Sequence, residues 1–231
     1  MELLEIRPER VLAVVAHPDD IEYGAAAAVA KWTAAGADCR YLLATRGEAG
    51  IDGMDPDTAA RVREEEQIAS ARVVGVDVVE FLQHKDGTIE YGLPLRQDIA
   101  EAIRRHKPDT VLLFNNRDHW GPGARNSADH QAVGTAALDA ISDAGNRWIF
   151  PGTEPHSAKI ALVAGSPQSS HAVDVTGYID AAIASLSEHK AYLEGLGDNP
   201  MSDPEFLRGY LEQAGLAVGV PAALAVEVWN F

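Results

Sequence analysis

The chain has 231 residues, of which 46% are hydrophobic and 23% are charged, proportions typical of a globular protein rather than a disordered one. Asp and Glu total 35 against 19 Lys and Arg, which gives a formal net charge of -16. An acidic surface repels phosphate backbones and anionic membranes, so we expect neither nucleic acid nor a membrane as a partner.

Cys39 is the only cysteine, so the chain can form no internal disulfide and no zinc cluster built from several cysteines. Residues 1–10 mix acidic and basic side chains and lack the apolar core of a secretory signal. No run of about 18 apolar residues occurs, so no transmembrane helix is expected. These features favour a cytoplasmic protein.

Short apolar runs alternate with helix-forming stretches over the first two thirds of the chain. Strands are predicted at residues 11–16, 41–44, 78–82 and 110–114, and helices at 24–35, 57–74, 95–106 and 128–141. Residues 45–56 and 115–127, rich in Gly and polar side chains, are predicted to be loops. The alternation predicts an α/β fold with a largely parallel sheet flanked by helices.

The last third of the chain is less regular. Strands are predicted at residues 159–163, 171–175 and 222–229, and helices at 179–196 and 202–213. No repeat or linker separates a second domain, so the sequence predicts a single domain over residues 1–231. Two interpretations stay open for the Leu, Ala and Val residues of this third: they complete the core, or they form the interface of a homo-oligomer.

The segment from Ala16 to Glu22 places one imidazole and three carboxylates directly after the first predicted strand. Carboxylates this close together repel one another unless a proton or a cation compensates their charge. Zinc binds His nitrogen and carboxylate oxygen, and a remaining Asp can accept a proton from a metal-bound water. The alternative is a plain surface turn, in which Pro18 fixes the backbone and an Asp caps the next helix.

A second polar cluster, Asp129 and His130, follows the predicted strand at residues 110–114 and its loop. Because ligands bind at the carboxyl ends of parallel strands, both clusters are expected at one edge of the sheet. A ligand from this loop would complete a set of two His and one Asp that leaves a position open for water. Alternatively, Asp129 caps the following helix and His130 is exposed.

Five segments, in order along the chain, resemble the PIG-L/LmbE family of zinc-dependent N-deacetylases. They are Ala16 to Asp20 with Glu22, Thr45 to Gly50, Arg63 with Glu66 and Gly75, Leu82 with Asp86 and Gly87, and Asp129 with His130 and Gly134. The resemblance implies a Rossmann-like fold and hydrolysis of an N-acyl amide, usually N-acetyl, on an amino sugar or a glycosylated small metabolite.

The resemblance also implies roles for individual residues. His17, Asp20 and His130 would bind Zn²⁺ or another divalent metal. Asp19 would be the general base that activates the metal-bound water, and would then protonate the leaving amine. Arg46 would contact the polar substrate with its planar guanidinium, although a surface salt bridge is the alternative for this side chain.

The second motif departs from the family pattern, because Ser127 stands where the family usually has a His that stabilises the oxyanion. A neutral hydroxyl does not supply the charge of an imidazolium. His119, in the same loop, is the first candidate for the missing catalytic group and His171 the second, while Ser127 is expected to contact the substrate. The departure also leaves open a metal-binding module that has lost catalysis.

The substrate class is not settled by these motifs. The same metal centre would serve an amidase that acts on a thiol conjugate or a peptide-like natural product, since only the pocket would differ. A nucleotide-dependent oxidoreductase is disfavoured, because no G-x-G-x-x-G follows the first predicted strand. The sequence therefore predicts a metal-dependent amide hydrolase that acts on a small N-acylated molecule.

Overall fold

The computed structural model describes all 231 residues, which form an eight-stranded sheet with helices on both faces and a separate two-stranded hairpin. The strands are β1 Glu2–Leu3, β2 Arg10–Val15, β3 Asp38–Leu43, β4 Val78–Phe81, β5 Thr110–Phe114, β6 His119–Gly121, β7 Ala124–Arg125, β8 Ile160–Ala164, β9 His171–Asp174 and β10 Ala223–Asn230. The helices are α1 Asp20–Gly24, α2 Ala26–Ala34, α3 Pro56–Val73, α4 Leu93–His106, α5 Ala128–Gly145, α6 Ile179–Leu186, α7 Lys190–Gly195 and α8 Phe206–Leu216, with a 3₁₀ turn at Pro200–Ser202. No helix combines the length and the apolar character that crossing a membrane requires.

The sheet has the strand order β1-β9-β10-β8-β5-β2-β3-β4. Five consecutive strands, from β8 to β4, run parallel to their neighbours. β10 runs antiparallel to both β8 and β9. The central strands are covered on both faces, which explains why β2 and β5 are almost continuous apolar runs. The predicted α/β fold with a largely parallel sheet is confirmed.

Two apolar cores lie on opposite faces of the sheet. Because side chains alternate along a strand, Val11, Ala13 and Val15 of β2 join one core, and Leu12 and Val14 join the other. Helices α2, α3, α6 and α8 contribute to the first core, and α4 and α5 contribute to the second. Leu and Ala residues of the last third, in α6, α8 and β10, therefore complete the first core.

One predicted loop and two predicted helices differ from the structure. The loop at residues 115–127 contains the β6–β7 hairpin, and the helix predicted at 24–35 is interrupted at Ala25, which separates α1 from α2. The helix predicted at 179–196 is divided into α6 and α7 by residues 187–189. This break places the fully buried side chain of His189 opposite Glu22, a long-range contact that helical periodicity does not encode.

Gly134 allows α5 to pack closely on the chain that follows β5. A Cβ atom at this position would lie 2.5 Å from the Asn116 Cβ and 3.2 Å from the Phe114 carbonyl oxygen. We expect Gly134→Ala to lower the free energy of unfolding by about 1 to 3 kcal/mol, because the clash outweighs a gain of about 1 kcal/mol in helix propensity. Urea unfolding followed by circular dichroism measures the change.

The matched control is Gly209→Ala in α8, where an added Cβ would meet no atom within 4 Å. This substitution is expected to raise the free energy of unfolding by about 0.5 to 1 kcal/mol, through helix propensity alone. If Gly134→Ala were as stabilising as its control, the close packing of α5 on this part of the sheet would be contradicted.

Candidate active site

A cavity of about 660 Å³ lies at the carboxyl ends of three neighbouring parallel strands. His17 follows β2, Phe114 ends β5 and Gly165 follows β8, and all three line the cavity. Most of the predicted site residues line it as well: His17, Asp19, Asp20, Ser127 and His130. The expectation that the polar clusters meet at one edge of the sheet therefore agrees with the structure, as the topology of a parallel sheet requires.

His17, Asp20 and His130 each direct one atom towards a common point. His17 Nδ1 lies 3.2 Å from His130 Nε2, which lies 3.0 Å from Asp20 Oδ1. The other ring nitrogens have acceptors: His130 Nδ1 lies 2.9 Å from the Asn126 amide oxygen, and His17 Nε2 lies 3.1 Å from Asp129 Oδ2. With the ring protons on those outer nitrogens, the arrangement that a bound cation would select, two imidazole lone pairs and one carboxylate oxygen converge.

The convergent atoms suit a divalent cation. Three acceptor atoms facing one another are unfavourable unless a proton or a metal ion lies between them. Two imidazole nitrogens and one carboxylate oxygen, all within 4.8 Å of one another, form a set of the kind that catalytic zinc sites use, with one coordination position left for water. The donor chemistry therefore fits the metal that the sequence predicts.

Asp86 and Asp129 hold the outer side of the His17 ring. His17 Nε2 lies 3.1 Å from Asp86 Oδ1 and 3.1 Å from Asp129 Oδ2. Asp129 also accepts hydrogen bonds from the backbone N–H groups of Gly87, at 2.7 Å, and Ile89, at 3.1 Å. Carboxylates on the far nitrogen fix the tautomer and the orientation of a ligating His.

The electrostatics of the ligands favour a positive charge at the point where they meet. Burial opposes the charged form of His17, but hydrogen bonds with Asp129, Asp20 and other carboxylates outweigh it and raise its pKa well above the usual value. Burial also opposes the charge on Asp20, yet His130 and His17 lower the pKa of this carboxyl far below its usual range. Asp20 additionally accepts backbone hydrogen bonds from Ala16 and His17, at 3.0 and 2.9 Å.

Asp19 lies beside the ligands in an uncommon backbone conformation, with φ at 84°. Its backbone N–H donates to Gln67 Oε1 at 2.9 Å, and its carboxylate forms an ion pair with Arg63. Arg63 also donates to the carbonyl groups of Gly47 and Pro18, which hold the guanidinium in place. Burial raises the pKa of Asp19 to about 6, with Arg63 opposing the rise. A carboxylate with this pKa is suited to exchange protons near neutral pH.

A buried polar network supports the helix that carries Asp20. Gln67 Nε2 and Ser70 Oγ donate to Glu22 Oε1, at 2.9 and 2.7 Å. The second Glu22 oxygen lies 3.5 Å from His189 Nε2. Burial opposes both charges, but each partner stabilises the other, so the pKa of Glu22 is lowered and that of His189 is raised. The sequence alone gives His189 no role, because the residues around it differ from the pattern of the family.

Three predicted residues do not line the cavity. Arg46 Nε lies 3.3 Å from Glu64 Oε2, and its side chain is 44% exposed. His119 is bonded to its neighbour Asp118 and is 46% exposed at the start of the hairpin. His171 begins β9, also outside the cavity. The substrate contact of Arg46 and the catalytic role of His119 stay predictions.

Ser127 lines the cavity as the N-cap of α5, where its hydroxyl accepts a hydrogen bond from the backbone N–H of Asp129 at 3.1 Å. The motifs that resemble the family include Arg63, Asp86 and Asp129, but the sequence alone assigns these three side chains no role in the site. Their separation along the chain from His17 and Asp19 does not predict a contact, because the contacts join elements that are remote in sequence.

Comparison with known proteins identifies the family and several relatives of the chain. Residues 12–141 match the family described as PIG-L: GlcNAc-PI de-N-acetylase. A diacetylchitobiose deacetylase of Thermococcus kodakarensis is 30% identical over 190 residues, which cover 79% of this chain and 70% of that protein. A 1D-myo-inositol 2-acetamido-2-deoxy-alpha-D-glucopyranoside deacetylase of Kineococcus radiotolerans is 40% identical over 168 residues, covering 58% of this chain and 45% of that protein.

A solved structure shares the whole fold. The N,N'-diacetylchitobiose deacetylase of Pyrococcus horikoshii, in complex with its inhibitor MPG, superimposes with a TM-score of 0.85. The alignment covers 96% of this chain and 84% of that chain, at 22% sequence identity. At this identity the likeness establishes the fold, and the sequence matches establish the family.

The family match and the named relatives define the class of protein, a hydrolase that deacetylates N-acetyl groups. The chain belongs to the PIG-L family of N-deacetylases, since the family match spans more than half of its length. Both the predicted family and the predicted type of enzyme are confirmed. The matched residues contain all three candidate metal ligands, whereas α7 and α8 lie outside the match.

Asp129→Asn tests whether the outer contacts of His17 control metal binding. An amide would place N–H groups against the Gly87 N–H and the His17 ring proton, so the orientation of His17 would be lost. We expect about 10- to 100-fold weaker zinc binding, measured by competition with a chromophoric chelator. The control Asp118→Asn removes an equal charge from an exposed carboxylate and should leave zinc affinity unchanged. Equal affinities of the two variants would refute the positioning role of Asp129.

Proposed function

We propose that the protein is a zinc-dependent N-deacetylase that removes an acetyl group from an amino sugar or a glycosylated small metabolite. One observation carries the proposal: the two imidazole lone pairs and the Asp20 oxygen converge beside the buried carboxylate of Asp19, in one cavity. The named relatives, which include a diacetylchitobiose deacetylase, support the choice of an amino-sugar substrate.

His17, Asp20 and His130 would hold the metal, which when bound polarises the amide carbonyl and lowers the pKa of a water molecule. Asp19 is the general base in this proposal. Arg63 engages its Oδ2, which leaves Oδ1 to take the proton of the attacking water. Asp19 then passes this proton to the leaving nitrogen as the C–N bond breaks, so the products are a carboxylate and a free amine.

Ser127 supplies a neutral hydroxyl to the same cavity. Its oxygen accepts from the Asp129 N–H, which leaves its own proton free to be donated to the substrate. We propose that this donation replaces part of the stabilisation that the family obtains from an imidazole, at a lower rate of turnover. His119 on the hairpin stays the candidate for a second donor. In this proposal Arg46 contacts the substrate after its ion pair with Glu64 breaks.

The same Ser127 is the observation that favours the competing proposal, a metal-binding module without turnover. The two proposals differ in a direct measurement, because only the enzyme releases amine from N-acetylated compounds. An amidase for a thiol conjugate or a peptide-like product would use the same residues and differ in the preferred substrate.

Removal of the metal is expected to abolish amine release from N-acetylglucosamine compounds and from diacetylchitobiose. Dialysis against a strong chelator followed by a fluorescent amine assay measures the loss, and stoichiometric zinc should restore activity. If the zinc-loaded protein released no amine from a broad N-acyl panel, the enzyme proposal would fail and the binding-module proposal would be favoured.

Asp19→Asn is expected to keep zinc bound yet lower kcat by about two to four powers of ten, because the amide cannot accept the proton of the water. Zinc stoichiometry and steady-state amine release, measured on the same sample, separate these two effects. The control is Asp77→Asn, which neutralises an exposed carboxylate just before β4, at the opposite end of the sheet from the cavity, and should retain full turnover. A fully active Asp19→Asn protein would remove Asp19 from the role of general base.

A further inference from the structure

We propose that the outer wall of the active-site cavity binds an apolar group of the substrate, either an aromatic ring or an alkyl chain, next to the scissile amide. The inference rests on the proposed function for the position of the amide, and it adds the chemistry of the group beside it. The wall, here called the aromatic wall, consists of Tyr23, Tyr192, Leu196, Met201, Phe206 and Tyr210.

The aromatic wall is built mainly by α7, the 3₁₀ turn and α8, which lie outside the residues matched to the family. Three contacts hold the wall together and join it to the site. The Tyr23 hydroxyl donates to the Met201 carbonyl at 2.8 Å, and the rings of Tyr23 and Phe206 lie 5.6 Å apart. The Arg63 guanidinium, which pairs with Asp19, lies 4.3 Å from the centre of the Tyr192 ring. The wall is therefore a preformed part of the cavity.

Packing within the protein does not account for the residues at the rim of the wall. On α8, Leu207 and Leu211 are buried in the core, whereas Tyr210 faces the cavity and is 39% exposed. Met201, at the other side of the mouth, is 44% exposed. Single exposed apolar residues are common, but several around one cavity indicate a surface that an apolar ligand covers.

The apolar surface continues across the cavity to a metal ligand. Trp120 of the β6–β7 hairpin has its ring 5.0 Å from that of Phe114 and 5.7 Å from that of His130. The Phe114 ring itself lies 5.2 Å from the His130 ring. Apolar side chains of β5 and the β6–β7 hairpin thus also line the cavity beside His130, close to the point where the amide would be cleaved.

The cavity offers sugar hydroxyls the hydroxyl groups of Ser127, Tyr192 and Tyr210, whereas its other polar side chains are largely engaged within the protein. Arg63 is engaged by two carbonyl groups and Asp19. Asp86 is engaged by His17 and the Ala49 backbone, and Ser166 donates to Glu227. Cavities with mostly apolar walls and a small polar centre bind ligands with an apolar body and one polar reactive group.

The test is a series of matched N-acyl substrates. It compares methyl, phenyl and octyl glycosides of N-acetylglucosamine, the N-octanoyl analogue of the methyl glycoside, and diacetylchitobiose. We expect kcat/KM for amine release to be about tenfold or more higher for a compound with a phenyl or alkyl group than for the methyl glycoside. The glycoside and acyl arms show on which side of the amide the apolar group lies.

Substitutions in the aromatic wall test whether its residues cause the preference for a phenyl or alkyl substrate. Tyr210→Ala and Phe206→Ala are expected to reduce the ratio of phenyl or alkyl to methyl substrate towards one. Leu216→Ala is the control, because Leu216 lies on the same helix, is 82% exposed and does not line the cavity. The ratio should be unchanged in this control. Thermal unfolding of each variant shows whether a change in the ratio accompanies a loss of the fold.

Binding measured without turnover separates this inference from the proposed function. Isothermal titration of the phenyl and methyl glycosides, using the zinc-loaded protein, should show tighter binding of the phenyl compound that Tyr210→Ala removes. If amine were never released but this difference persisted, the proposed function would fail and the apolar subsite would stand. Two results would overturn the apolar subsite: equal binding and equal turnover of all compounds, or the highest kcat/KM for diacetylchitobiose. Either result would leave the proposal of deacetylation intact.

Discussion

The site depends on the ring of His17, whose two nitrogens serve two different groups. Nε2 faces the carboxylates of Asp86 and Asp129, and Nδ1 faces Asp20 and His130. When the proton is on Nε2, Nδ1 presents a lone pair to the candidate metal position, where either a proton or a cation compensates the convergent acceptor atoms. The His17 ring therefore connects the chain segments that follow β2, β4 and β5 at the edge of the sheet.

The charges behind the ligands are buried in pairs, which limits the cost of removing them from water. Asp19 pairs with Arg63, and Glu22 pairs with His189 and accepts two further hydrogen bonds. Gln67 joins the two pairs, since its amide contacts both the Asp19 backbone and Glu22. Because every member has a partner on another element, the network fixes the position of α1 and of the general base.

The chain divides chemical roles between its two parts. Residues 12–141, which match the family, contain the three candidate metal ligands and Asp19, the proposed general base. The region after this match supplies most of the aromatic wall and His189, which supports the first motif from behind. The candidate reactive residues thus lie at the carboxyl ends of the parallel strands, whereas most of the aromatic wall lies on the later helices.

The sequence by itself determined the alternation of strands and helices, the parallel sheet and the candidate ligands of the first motif, because periodicity and motifs are local properties of the chain. Only the tertiary structure decided which distant groups meet: His17 and His130 are 113 residues apart, and Glu22 and His189 belong to separate helical segments. For the same reason, the sequence did not predict the break before α7 or the aromatic wall. These features depend on the direction of side chains and on packing between remote elements, which local sequence patterns do not record.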